Sequence, residues 1–248
     1  MNKSQILLGL ALGLTTISFA HADELYLYAG AGLKKPTQKI IAEYEKETGN
    51  KVIVEYAGMG QLLTRFETTK KGDLFLSGSE GYVQKLVDDG YIAQDMPIVL
   101  HVPVMAVRRD KAKNINSFKD LAHSDLRIGI GDSKAMALGK GAEKMINASG
   151  YADELDKKIV TKAATVKQLM LYLLHGQVDA AVVGRAGAYR ERKILKILPS
   201  PVGTPQEKVT IALLKTSKHP QEAEKLMQMF TSLDGITAFT HEGFLPIK

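Results

Sequence analysis

The chain has 248 residues, with 33 lysines and arginines against 27 aspartates and glutamates, and 45% hydrophobic residues. That is enough for one large domain or two modest ones with a real core, and the balance excludes a disordered or collagen-like chain. With no cysteine there is no disulfide scaffold, thiolate zinc site, cysteine nucleophile or lipidated N-terminus, and the lack of tryptophan argues against a base- or sugar-stacking platform.

The first element is predicted to be an export signal. Lys3 supplies a short positive start, residues 6–20 are apolar with Gly9 and Gly13 among them, and Ala20-His21-Ala22 gives the small-x-small pattern of a cleavage site. The apolar run is short for a membrane span, and no second stretch approaches the roughly 20 apolar residues a span needs. A cut after Ala22 leaves a soluble, exported chain of 226 residues whose net charge falls from +6 to +5, because Lys3 is the one charge removed.

From there strands and helices alternate. Residues 25–29 (LYLYA) predict a strand, and Pro36 suits a first helical turn. Ile40, Ile41 and Tyr44 mark one face of that helix up to Gly49. Strand 51–57, helix 61–69, strand 73–77 and helix 80–88 follow, the last ended by Gly90. The plan repeats with strands at 102–108 and 127–130, a helix at 138–147, a strand at 159–162, a helix at 166–175 and a strand at 180–183. A late strand at 209–214 and a helical stretch from Pro220 to about His241 complete the chain. Such repetition with short links predicts mostly parallel sheets covered on both faces, divided between two lobes.

Familiar catalytic motifs fail on inspection. Gly30-Ala31-Gly32 opens like a dinucleotide fingerprint, but Lys35 stands at the third glycine position; Gly58-Met59-Gly60 fails the same way at Leu63. Gly139-Lys140-Gly141 lacks the upstream glycine and the Ser or Thr of a P-loop. The six histidines share no ligand spacing, which argues against a metal site, and in sequence none lies near a glycine turn. The basic residues are scattered in pairs such as Lys34-Lys35 and Arg108-Arg109, with no basic arm for nucleic acid. What remains is a set of turns, 30–32, 58–60, 77–79 and 131–135, each between a strand and a helix. Glycine there lets backbone N–H groups approach a ligand, and the following helix N-terminus favours negative charge. In a modestly basic exported chain, this pattern points to capture of a small anion.

At these turns the sequence resembles the molybdate-binding periplasmic proteins of ABC importers, within the broader class of two-lobed solute-binding proteins. The similarity is carried by residues 26–33 (YLYAGAGL), 52–79 (VIVEYAGMGQLLTRFETTKKGDLFLSGS), 127–146 and 176–188. It implies an α/β, two-lobed fold with two crossover strands, each lobe a mixed sheet flanked by helices. Lobe I would take 23–103 plus 203–248 and lobe II 104–202, hinged near 101–106 and 199–204. It also implies capture of an oxyanion of the molybdate or tungstate type between the lobes, without enzymatic chemistry, cofactor or resident metal. The loaded protein, a periplasmic monomer, would deliver it to an ABC permease in the inner membrane.

The side chains depart from the family at the site itself. Gly32, Met59 and Gly184 stand where the family offers two serines and a tyrosine, while the amide contacts near Leu138 and Val166 can be kept by any residue but proline. The predicted ligand shell is therefore Gly30, Ala31, Gly32, Gly58, Met59, Gly60, Leu138, Val166 and Gly184. Gln61, Ser77, Ser79, Ser133, Lys134 and Arg185 are the candidate replacement donors. Arg185 could pair with a carboxylate or phosphate, or simply begin a surface helix toward Tyr189. The volume freed at Gly32 and Gly184 leaves a second ligand class open, an organic carboxylate or phosphoester, taken up or sensed. An enzyme on the same fold is the competing class.

Overall fold

The computed structural model describes residues 23–247; the predicted export signal at 1–22 lies outside them. The chain begins with β1 (Glu24–Gly30), a 3-10 turn (Ala31–Leu33), α1 (Lys34–Thr48), β2 (Lys51–Ala57), α2 (Met59–Thr69), β3 (Leu74–Ser77), α3 (Glu80–Asp88) and β4 (Ile92–His101). It then builds β5 (Pro103–Arg108), α4 (Phe118–Ala122), β6 (Ile128–Gly131), α5 (Ala137–Ala148), α6 (Ala152–Asp156), β7 (Ile159–Ala163), α7 (Val166–Leu174), β8 (Ala180–Gly184), α8 (Arg185–Arg190) and β9 (Leu195–Ile197). The last elements are β10 (Glu207–Leu214), α9 (Pro220–Thr231), α10 (Leu233–His241) and β11 (Leu245–Pro246).

Two sheets result: a six-stranded one in the order β11-β4-β10-β3-β1-β2, and a five-stranded one in the order β7-β6-β8-β5-β9. Both are mixed. The βαβ units β1–β2, β1–β3, β6–β7 and β6–β8 are parallel, as the alternation predicts. Strands that arrive from the other lobe, β10 and β5, run antiparallel to their neighbours.

Alternation along β1 sets the first lobe's layers. Leu25, Leu27 and Ala29 face α1, α9 and α10, where Ile40, Tyr44, Phe230 and Phe239 are buried. Tyr28 turns to the opposite face with Phe66, Phe75 and Leu86 from α2, β3 and α3. Full burial of one such aromatic is worth about 1.5–3 kcal/mol. Asn50 pins α1 to α9, its amide donating to the Tyr44 hydroxyl at 3.1 Å and to Glu222 at 2.9 Å. In the second lobe α5 covers one face through Met145 and Ile146, and α7 the other through Leu169 and Leu173.

The chain passes between the sheets twice. β4 ends at His101 and β5 begins at Pro103, so Val102 alone separates them. The return runs through 198–206, between β9 and β10. α5 lies against both crossings, since the position a Cβ would take on Gly141 is 3.6 Å from Pro103 and 3.7 Å from Pro205.

Candidate functional site

Register places the predicted turns side by side. In the first sheet Gly30 pairs with Ala57, and Ala29 with Leu76, so the C-terminal ends of β2, β1 and β3 line up. Gly30, Ala31, Gly32, Gly58, Met59, Gly60, Gln61, Ser77 and Ser79 therefore form one cluster. Gly30 and Met59 touch, the methionine sulfur lying 3.0 Å from where a Cβ on Gly30 would be. In the second sheet Gly131 pairs with Ala163, and β6 pairs with β8, which gathers Ser133, Leu138, Val166, Gly184 and Arg185 at the ends of β6, β7 and β8.

These strand ends run into helices whose first amides have no intrahelical acceptor. At α2 and α5 the N-cap positions, Gly58 and Met136, offer no capping side chain. At α7, Thr165 caps by accepting from the Gln168 amide at 3.1 Å. Partly positive helix ends and free N–H groups suit an anion.

Several polar side chains expected as replacement donors are instead engaged within the protein. Ser77 is fully buried, and its Oγ donates to the Ser79 carbonyl at 2.7 Å and accepts from the Ser79 amide at 3.1 Å. Gln61 folds back so that its Oε1 accepts from the Gly58 amide at 3.3 Å. Arg185 is half-buried, donates to the Gly243 carbonyl and lies 5.6 Å from the Tyr189 ring. Lys134 is exposed, its backbone amide donating to Asp132 at 2.8 Å. Ser133 Oγ has no hydrogen-bond partner among the described residues, so it is the expected hydroxyl still able to serve a ligand.

The N-terminus of α3 already holds an anion of the protein's own. Glu207, at the start of β10, accepts from Ser79 Oγ at 3.1 Å and from the Glu80 amide at 3.0 Å.

The expectation that histidine stays away from the glycine turns is overturned by the fold. His101 at the end of β4 has Nδ1 3.4 Å from the Gly78 carbonyl, and its Nε2 lies 2.8 Å from where a Cβ on Gly184 would be. It thus touches the strand-end clusters of both lobes, and its ring fills the volume expected to be free at Gly184, so the expected extra space stays open at Gly32 and not at Gly184. Its ring packs on Phe244 at 5.6 Å between centroids. Burial pulls its pKa below the ordinary histidine value; the Gly78 carbonyl and Glu207 oppose that shift, and Arg190 adds to it. No sequence signal marks it, because residues 78, 101 and 184 meet only through the pairing of strands.

Two shallow surface grooves adjoin the clusters, one along α2 lined by Gly60, Gln61 and Arg65, the other along α5 lined by Ser133, Lys134 and Lys140. Among the described residues there is no grouping of three or more His, Asp or Glu placed to hold a metal ion.

The sequence profile of a family described as bacterial extracellular solute-binding protein matches residues 25–245. A Haemophilus influenzae protein named "Putative binding protein" is 64% identical over 235 residues, covering 95% of this chain and 96% of that one. A Pseudomonas protein named aconitate isomerase is 24% identical over 245 residues, covering 90% and 88%. Among solved structures, the "substrate binding domain of putative molybdenum ABC transporter from Clostridium difficile" superposes with a TM-score of 0.81 at 23% identity, over 92% of this chain and 100% of that one. L-phospholactate-bound PEB3, a Campylobacter jejuni protein, gives 0.73 at 17% identity, over 90% and 100%. Both structures share the two-lobed fold.

Proposed function

The chain belongs to the bacterial extracellular solute-binding protein family and is a substrate-binding protein of the ABC-transporter type, and from that premise we propose that it captures a small anion between its lobes. Lobe I would comprise 23–103 with 203–248, and lobe II 104–202. The observation carrying the proposal is the convergence, in each sheet, of three adjacent strand ends on helix N-termini. Donors from both lobes satisfy the ligand only when the lobes close, so the ligand stabilises the closed form by contacts the open form cannot make. The segments at Val102 and 198–206 would hinge. The closed periplasmic monomer, freed of its export signal after Ala22, would then dock on an inner-membrane ABC permease. It acts as a carrier rather than an enzyme, with no cofactor, resident metal or nucleic-acid partner.

Two ligand classes have support. A molybdate- or tungstate-type oxyanion is supported by the resemblance of the turns and by the neighbour named for a molybdenum transporter. An organic carboxylate or phosphoester is supported by the open space at Gly32, where a Cβ would meet nothing within 4 Å, and by the internal engagement of Ser77, Gln61 and Arg185. Each hydrogen bond missing from a dehydrated dianion costs about 1.5–3 kcal/mol.

Thermal unfolding of the mature chain against molybdate, tungstate, sulfate, phosphate, citrate and phosphoglycerate tests the proposal. A ligand at 100 times its Kd adds about 2.7 kcal/mol, which raises Tm by roughly 5–10 °C for a chain of this size. Silence across all six anions would refute anion capture. Conversion of a bound anion into another compound would refute the carrier role.

A further inference from the structure

Resting on removal of the export signal after Ala22, we propose that the cut supplies a contact of its own: the new α-ammonium of Asp23 docks on Asn50, and docking makes the processed first lobe more stable than the unprocessed one. Asp23 is anchored through all three of its polar groups. Its backbone nitrogen donates to Asn50 Oδ1 at 3.0 Å, its carbonyl accepts from the Lys51 amide at 2.8 Å, and its carboxylate lies 3.2 Å from His219 Nδ1. Chain ends are loose unless tied down in this way.

The acceptor is a built socket. Asn50 is 7% exposed, and its amide nitrogen donates to the Tyr44 hydroxyl at 3.1 Å and to Glu222 Oε2 at 2.9 Å. A carboxylate only accepts, so the nitrogen must face Glu222 and the oxygen must face Asp23. Asn50 stands just before β2 and Glu222 in the first turn of α9. The docked terminus therefore ties the first strand of its lobe to a helix from the far end of the chain.

The socket favours a cation over a neutral amide. Lys225, 2.8 Å from Glu222 Oε1, outweighs burial and, with Tyr44 and Asn50, holds the Glu222 carboxyl below the ordinary range, so it stays ionised. A carboxylate on Nδ2 polarises the Asn50 amide and strengthens Oδ1 as an acceptor. The amide thus lies between an anion and the docked ammonium, its dipole aligned with both. In the precursor the same nitrogen is a neutral peptide N–H, and a hydrogen bond from a charged donor is roughly twice as strong. The Asp23 carboxylate adds a second negative charge, which His219 offsets only when protonated. Lys51, the remaining cation at this edge, lies 3.7 Å from Glu45.

The mass of the protein recovered from the periplasm reads the cut, and thermal unfolding reads the socket. The exported chain is expected to begin at Asp23. It should melt about 2–6 °C above a chain that keeps Ala22, in which the Asp23 nitrogen is again a neutral amide. Docking raises the pKa of the terminal amine above its ordinary value of about 7.7–8.0, so the advantage is full below that value and fades as pH rises through the folded one. Glu222→Gln keeps the shape of the socket and should shrink the gap between the two chain starts, and Asn50→Ala should abolish it. Each variant is compared with itself at both starts, so its own loss of stability cancels, and circular dichroism confirms that it is folded. Equal melting of the two starts from about pH 6 to 10, or a gap untouched by both substitutions, would overturn the socket while leaving export and anion capture standing. A periplasmic chain that begins elsewhere, or that still carries residues 1–22, would overturn the socket and the cut after Ala22 together.

Discussion

Gly139 is the glycine whose replacement the structure predicts to be most informative at the site. It lies in the first turn of α5, where its missing Cβ would sit 2.5 Å from the Asp132 carbonyl carbon, 2.5 Å from the Ser133 amide nitrogen and 2.6 Å from the Asp132 oxygen. All three are backbone atoms, so no rotamer change relieves the overlap, and the turn that presents Ser133 must shift by roughly 1 Å to restore van der Waals contact. In an open helix Gly→Ala would gain about 0.5–1 kcal/mol. Here the overlap is with backbone atoms, which puts overpacking near the upper end of its usual 1–3 kcal/mol, so after the helix gain a net loss of about 1–2.5 kcal/mol is expected for Gly139→Ala. For a chain of this length that corresponds to a fall in Tm of roughly 3–10 °C. Gly32→Ala is the matched control, since its Cβ meets nothing within 4 Å, and it should stay within about 0.5 kcal/mol of the parent. Urea unfolding followed by far-UV circular dichroism measures both in a chain that has no tryptophan. Gly139→Ala matching or exceeding Gly32→Ala in stability would refute the close approach of α5 to the turn.

Asp179 accepts from the Arg127 side chain at 3.0 and 3.2 Å and from its backbone amide at 3.0 Å. Asp179→Asn should lose about 1–3 kcal/mol in urea at neutral pH, and no loss would show that the pairing contributes nothing. Burial pushes the Asp179 carboxyl up, but the Arg127 hydrogen bonds and charge outweigh it and hold the group below the ordinary carboxylate range. A depressed folded-state pKa gives stability that is present above the unfolded value, about 3.9, and is lost as pH falls through the folded one. The parent should therefore weaken below about pH 4 more steeply than Asp179→Asn does; parallel curves would contradict the assignment. The Tyr56 hydroxyl is buried without a hydrogen-bond partner among the described residues, and burial pushes its pKa up to about 12. Tyr56→Phe should be neutral or gain up to about 1 kcal/mol, and a clear loss in the same urea assay would mean the hydroxyl has a partner after all.

Where local chemistry decides an element, its outline could be read from the sequence. β2 and α3 match their predicted bounds at Lys51–Ala57 and Glu80–Asp88, because alternation and helical period there meet glycine turns at both ends, Gly49 and Gly58 for β2 and Gly78 and Gly90 for α3. β4 went unpredicted: Asp95 and Pro97 break the apolar pattern, and Pro97 is tolerated because it faces Thr210, where the β4–β10 register shifts. The C-terminal stretch predicted as continuous helix divides at Ser232, whose Oγ accepts from the Gly235 amide at 3.1 Å and so caps α10. At the site, the turns were visible as glycine between strand and helix. The commitments of Ser77 and Gln61 were not, since they depend on local turn geometry, and the arrival of Glu207 at Ser79 and of His101 at Gly184 depends on the pairing of strands far apart in the chain.

The strand order of the first sheet also has a temporal meaning. β10 lies between β3 and β4, so the edges of both remain unpaired on that side until residues 207–214 exist. Among the described residues β4 has β10 and β11 as its sheet neighbours, and both come from the last part of the chain. A chain threading out N-terminus first thus exposes Ile98 and Val99, which end up buried, throughout the emergence of the entire second lobe. The second lobe can close on itself early, whereas the first must wait for its distant strand, with the slow, long-range closure that such pairing entails. Between those two moments the unpaired edge is the natural target for a holding chaperone and the natural starting point for aggregation.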